Sequence, residues 1–114
     1  MTDNNSDRGI CIWTYWVKPD HEQEFITLLA KNWSTLHRLG FVTAARPFVL
    51  RSTDEPPVYV EVIEWEAGGM RPAHEHPDVI PIWEAMKHVV EDRAEARNVP
   101  GMTFPFYRRV ELTV

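Results

Sequence analysis

The stretch GGMRPAHEHPDVIPIWEAM, residues 68–86, sets His74 and His76 one residue apart, with Glu75 between them and Asp78 beyond. Imidazole and carboxylate at such spacing are the material of a divalent-metal site or of an acid–base pair. A divalent site needs three or four converging ligands. The other histidines offer no third: His21 and His37 fall on a separate helical pattern, and His88 lies twelve residues past His76. The second use is as the polar approach to a helix, with one histidine capping it and the other lining a pocket. His74 is the candidate for the pocket position. No metal and no cofactor is expected.

Other chemistry-bearing patterns are sparse. From Gly68 the run follows Gly-x5-His-x-His, the opening of the cupin metal motif, but Ile80 and Pro81 stand where its glutamate belongs. A cupin is also a jelly roll of strands, whereas this chain carries two amphipathic helical patterns. There is no Gly-x-Ser-x-Gly elbow and no glycine-rich phosphate loop. Cys11, the sole cysteine, excludes an internal disulfide, and its apolar strand predicts an inert thiol. Glu61 and Glu64 have opposite strand parity, so they cannot form an acid–base pair on one face. Glu61 shares its face with Ile63 and Trp65, and pairing with Arg46 or Arg109 is expected for it.

The elements that must position these residues are readable from periodicity. Gly9–Val17 (GICIWTYWV) is a strand with two apolar faces: Ile10, Ile12 and Trp16 on one, Cys11, Trp13, Tyr15 and Val17 on the other. A helix follows, with Asp20 as N-cap, Gln23 in capping-box position, and Phe25, Leu28, Leu29, Trp33, Leu36 and Leu39 on one face. Gly40 suits the left-handed residue after its end. Residues 41–52 read as a second strand that Pro47 confines to an edge or a bulge. A turn at 53–57 leads to a third strand, Val58–Trp65, with Val58, Val60 and Val62 opposite Tyr59, Ile63 and Trp65. Asp78 caps a second helix with Pro81 in its first turn and Val79, Ile82, Trp83, Met86, Val89 and Val90 inward. Residues 98–102 end it, and residues 104–114 form a last strand. The order β-α-β-β-α-β predicts an α+β, ferredoxin-like protomer: a four-stranded antiparallel sheet with both helices on one face.

Composition sets the outer bounds. The 114 residues predict one domain, residues 9–114, behind a disordered tail, residues 1–8. A net charge of −5 and a single adjacent basic pair, Arg108–Arg109, argue against a nucleic-acid partner. Neither a signal-peptide pattern nor an apolar run of membrane-spanning length is seen, so no membrane association and a cytoplasmic location are expected. Five tryptophans are many for this length, and Trp13, Trp33, Trp65 and Trp83 are candidate walls of a ligand pocket. A sheet covered by helices on one face and apolar on the other needs a partner, and a second copy is the simplest. The expected partner is therefore the chain itself, in a homodimer built through the sheet face.

The run YWVKPDHEQEFITLLAKNW…LGFV, a third strand ending EWE, and AHEHPDVIPIW, whose first His lies nine residues after Trp65, together resemble the antibiotic-biosynthesis-monooxygenase-like family of dimeric α+β barrels, over residues 10–112. The resemblance implies a ferredoxin-like protomer, a dimeric barrel and a ligand pocket between sheet and helices. It further implies either a cofactor-independent monooxygenase acting on a small phenol- or quinol-like aromatic, or a non-catalytic binding dimer of the same fold. His74 falls at the family's Ala-His position and is the candidate general base, histidine being the residue type that changes charge near neutrality. The haem-degrading branch uses an Asn, a Trp and a His at positions held here by Trp13, His74 and Glu84, so haem degradation is not expected.

Overall fold

The computed structural model describes residues 8–53, 55, 57–91, 102–103 and 106–107, the last two pairs by their backbone. The elements run β1 (Gly9–Trp16), α1 (Glu22–Arg38), β2 (Phe48–Arg51), β3 (Val58–Trp65), α2 (Met70–Glu75), α3 (Ile80–His88), β4 (Met102–Thr103) and β5 (Phe106–Tyr107). This is an α+β chain with an antiparallel sheet in the order β2-β3-β1-β4. β1 pairs with β3 along its whole length, from Gly9 opposite Trp65 to Trp16 opposite Val58. β3 thus takes one edge of β1, and β4 and β5 both pair antiparallel with β1 as well. The remainder of the expected last strand lies outside the described residues, as do residues 1–7 of the expected tail. Arg8 is described, and its Nε donates to Glu66 Oε1 at 3.0 Å.

Strand alternation builds the core. Cys11, Trp13, Tyr15 and Val17 from β1 and its end, with Tyr59, Glu61, Ile63 and Trp65 from β3, are buried; the residues between them are partly covered. α1 covers this layer with Phe25, Leu29, Asn32 and Leu36, and α3 with Ile82 and Met86. The helix face is thus narrower than the apolar pattern, Leu28, Trp33 and Leu39 lying at its margins. The first helix ends as expected. Gly40, at φ 81°, donates to His37 O and Phe41 donates to Leu36 O, the paired bonds of a Schellman motif.

Four local expectations are corrected. Asp20 is not the cap of α1: it adopts φ 70°, and His21 takes the cap position without a side-chain bond. The second strand is regular only over Phe48–Arg51, at the sheet edge. Residues 41–47 are held instead by a lone bridge from Val42 to Trp65 and by Thr43 N–H on Glu64 O; Pro47, with no N–H for a ladder, immediately precedes the strand. The stretch expected as a polar approach to the second helix is itself helical over α2, and α2 stays separate from α3 because the residue before a proline is pushed out of the helical region. His76, before Pro77, has ψ 129°. Asp78 consequently caps nothing; Val79 is the cap residue of α3, and Asp78 accepts from Arg38 at 3.1 Å. Pro81 does sit in the first turn of α3.

The turn into α2 requires glycine twice. Gly68 has φ 72°, and a Cβ on Gly69 would lie 2.3 Å from the carbonyl oxygen of Phe41. This close approach fixes where α2, and therefore His74, begins relative to the end of β3. No described helix is long and apolar enough to cross a membrane.

Candidate functional site

The unusual chemistry of the molecule lies between sheet and helices. Glu61 occupies the middle of β3, in register with Trp13. Its parity points it toward the helices, where it is fully buried. Tyr15 Oη donates to its Oε1 at 3.0 Å, while Oε2 has no partner among the described residues. Burial pushes the carboxyl up to about 7, with the tyrosine bond pulling the other way. Tyr15 is itself pushed well up, by burial first and then by the charge of Glu61. The expected pairing of Glu61 with Arg46 is not formed: the Arg46 guanidinium lies 5.5 Å from the Trp33 ring. Arg109 lies outside the described residues.

A second buried polar group comes from α1. The buried positions Phe25, Leu29, Asn32 and Leu36 are spaced four, three and four apart, so Asn32 occupies a core slot of the helix. Its Oδ1 accepts from Trp83 Nε1 at 2.7 Å; its Nδ2 has no partner among the described residues. Among the described residues an acceptor on Glu61 and a donor on Asn32 are thus both left open in this layer, where an unmade hydrogen bond costs about 1–3 kcal/mol.

Aromatic rings join the two groups. Trp13 stacks with Trp65 at 6.4 Å, meets Trp83 edge-on at 5.8 Å, and lies 6.0 Å from Tyr15. Trp83 continues to His74, whose ring stands edge-on at 4.9 Å. Glu61, Tyr15, Trp13, Trp83 and His74 thus form a chain from the buried middle of β3 to the exposed end of α2. His74, in the last turn of α2, is exposed. Trp33 belongs to a different group, stacked on His37 at 4.8 Å and covered by Arg46. The structure therefore brings together Trp13, Trp65, Trp83 and His74 and sets Trp33 apart.

The two histidines of the opening stretch have separate roles. His76 Nδ1 accepts from the Asp78 N–H at 3.0 Å, and its ring packs edge-on against Phe41, so it braces the break between α2 and α3. Among the described residues no three His, Cys, Asp or Glu side chains gather as a metal-ligand set. Cys11 is buried, its thiol is pushed up by that burial, and Trp13 Nε1 donates to its Sγ.

Tyr15, Asn32 and Glu61 were not candidates from the sequence. The signal for the strand residues is parity, since both fall on the face that carries Trp13 and Trp65. The signal for Asn32 is a polar residue on an otherwise apolar helical stripe.

No protein-family model matches the sequence, and no curated protein matches it. Solved structures do. SnoaB, a cofactor-independent oxygenase from Streptomyces nogalater, is 18% identical, with 93% of this chain and 96% of that one covered at a TM-score of 0.70. A candidate antibiotic biosynthesis monooxygenase of Nitrosomonas europaea is 16% identical over 100% of both chains, TM-score 0.69. One from Bordetella bronchiseptica is 19% identical over 92% of this chain and 99% of that one, also at 0.69. The chain has the fold of the antibiotic biosynthesis monooxygenase proteins.

Proposed function

We propose that the protein is a homodimer that binds a small aromatic molecule between sheet and helices, and that it acts on a phenol- or quinol-like substrate as a cofactor-independent monooxygenase. The observation that carries the reading is a pair of buried atoms without a partner among the described residues, Glu61 Oε2 and Asn32 Nδ2, on side chains joined through Tyr15 and Trp83 to the packed rings of Trp13 and Trp65. A flat ligand with polar substituents would satisfy both atoms and stack on the indoles. Likeness in fold to SnoaB, a cofactor-independent oxygenase, supports the choice of reaction. Such chemistry asks the protein to hold the substrate away from water and to ionise it, because the ionised ring passes an electron to O2 more readily. His74, exposed and edge-on to Trp83, is the base that the family resemblance suggests.

The dimer is supported by the opposite sheet face. Ile10, Ile12, Trp16, Val58, Val60 and Val62 alternate onto it, and Phe48 and Leu50 of the edge strand extend it, 63% and 51% exposed. Apolar surface left in water costs about 25 cal/mol per Å², so a second copy packed on this face would remove a substantial penalty. Light scattering on the purified protein tests it: the expected mass is that of two chains, and a monomer rejects the dimer.

Activity is tested by O2 uptake with a panel of phenols and hydroquinones, using 18O2 to trace the product. One labelled oxygen atom in the product, above the uncatalysed rate, is the expected result. Saturable ligand binding without turnover would favour a binding or accessory dimer instead.

A further inference from the structure

Glu61 is gripped at one oxygen and open at the other. Tyr15 fixes Oε1, and Oε2 is buried without a partner among the described residues. Asn32 is its complement: Trp83 fixes Oδ1, and the buried Nδ2 is open. Trp13 lies between both holding residues, its ring 6.0 Å from that of Tyr15 and 5.8 Å from that of Trp83, so one indole links the holder of the open acceptor to the holder of the open donor. The geometry points to Glu61 as the general base for an aryl hydroxyl, with Tyr15 as its positioning residue, in a flat ligand that lies against Trp13 and offers a second, carbonyl-type oxygen to Asn32 Nδ2. This assignment rests on the aromatic-ligand reading proposed above, puts Glu61 in place of His74 as its base, and names the substituents that reading leaves open.

The step is a proton transfer. The ligand O–H bond breaks, its electron pair stays on the ligand oxygen, and the proton forms a new O–H bond at Oε2. The ligand becomes an aryloxide and Glu61 a neutral acid, with no oxidant or reductant required. A base works best when its pKa lies near the working pH, and burial lifts this carboxyl to about 7. The titratable groups bearing on Glu61 are Tyr15 and Cys11, both from β1. β2 sets Val49 opposite it and turns Arg51 to Glu22 and Glu55. The described buried residues of α1 and α3 include no titratable group. His74 stands exposed at the far end of the ring chain and is not the base in this assignment.

The product state can be imitated directly. The anion of 2-hydroxy-1,4-naphthoquinone is flat, carries an aryloxide beside a carbonyl, and stays ionised from about pH 6 to about pH 9. It should bind beside protonated Glu61 and be repelled by the carboxylate. Its affinity for the wild-type protein, followed by tryptophan quenching, is expected to hold up to about pH 7 and then to fall about tenfold per pH unit. Glu61→Gln should bind it with no such fall, and His74→Ala should keep the fall. Tyr15→Phe removes the bond that favours the carboxylate, so the break should move to higher pH; this arm stands even if the glutamine variant does not fold. Binding with the same pH curve in wild type, Glu61→Gln and Tyr15→Phe overturns the assignment and leaves the aromatic-ligand reading intact. No saturable binding to the wild-type protein at any pH rejects that reading, and the assignment with it.

Discussion

Two glutamates of this chain each accept a hydrogen bond from a tyrosine, and their carboxyls shift in opposite directions. Glu22, at the start of α1, takes the Tyr59 hydroxyl at 2.6 Å together with two bonds from Arg51, at 2.6 and 3.0 Å. The Arg51 bonds, then the Tyr59 bond, hold it down to about 2. Glu61, at the middle of β3, takes the Tyr15 hydroxyl at 3.0 Å and meets no cation among the described residues, and burial carries it up to about 7. The tyrosine is common to both sites and therefore does not set the direction. What differs is the guanidinium and access to water, which stabilise the charged form at Glu22 and are missing at Glu61. The first arrangement ties β2 and β3 to the head of α1; the second keeps a carboxyl able to gain or lose a proton near neutral pH.

The largest test of this contrast is Glu61→Gln. A carboxyl raised from an ordinary 4.5 to about 7 favours the folded state while it is protonated. That contribution is complete below about pH 4.5 and is lost as pH rises through about 7. The difference is worth on the order of 3 kcal/mol, since each pK unit corresponds to about 1.4 kcal/mol. Glutamine keeps the shape and carries no charge, so the variant should be the more stable protein at about pH 8 and nearly equal to wild type at about pH 5. Urea unfolding at both pH values measures it. A variant less stable than wild type at about pH 8 would mean that the ionised carboxylate is well solvated or paired.

A smaller effect is expected from removing each tyrosine hydroxyl. Tyr15→Phe takes away the one bond that the buried carboxylate has among the described residues, and should cost about 1–3 kcal/mol above pH 7. Tyr59→Phe leaves Glu22 gripped by Arg51 and should cost less, about 0.5–1 kcal/mol, the low end for one hydrogen bond. The two variants are compared by thermal unfolding at one pH. Equal losses would show that the cation at Glu22 does not substitute for the phenol.

The sequence discloses the scaffold of these sites more readily than their chemistry. Alternation in Gly9–Val17 and Val58–Trp65 assigns Cys11, Trp13, Tyr15, Tyr59, Ile63 and Trp65 to one face, and that face is the buried one. Period alone also locates α1 and its end at Gly40. Its polar core residue is passed over because a search for an apolar stripe counts Phe25, Leu29 and Leu36 and steps across Asn32. Glu61 is visible by parity, but a charged residue facing a core invites a salt-bridge partner, and nothing local reveals that Arg46 lies over Trp33 instead. α2 is hidden for another reason. Its six residues bury only Ala73 and show no apolar stripe, so the pattern discloses only the helix that begins near Pro81. Which tryptophans converge depends on how helices sit on the sheet, and so Trp33 is indistinguishable in sequence from Trp83.

The finest test moves the cation rather than the phenol. Arg51→Met removes the two bonds that hold Glu22 down and the bond to Glu55, and leaves the Tyr59 hydroxyl in place. If the guanidinium sets the direction of the shift, the Glu22 carboxyl should titrate well above about 2 in the variant, read by carboxyl 13C chemical shift against pH. A depressed carboxyl favours the folded state above its ordinary pKa and loses that contribution as pH falls through the depressed value. The variant should therefore match wild type in strong acid and fall slightly behind it near neutrality. The gap should narrow in high salt, because the pair is partly open to solvent. Glu61, whose contacts the substitution does not touch, should keep its midpoint near 7 in the same titration. A Glu22 midpoint that stays near 2 without Arg51 would assign the depression to the Tyr59 bond, and the difference between the two glutamates would then come from burial alone.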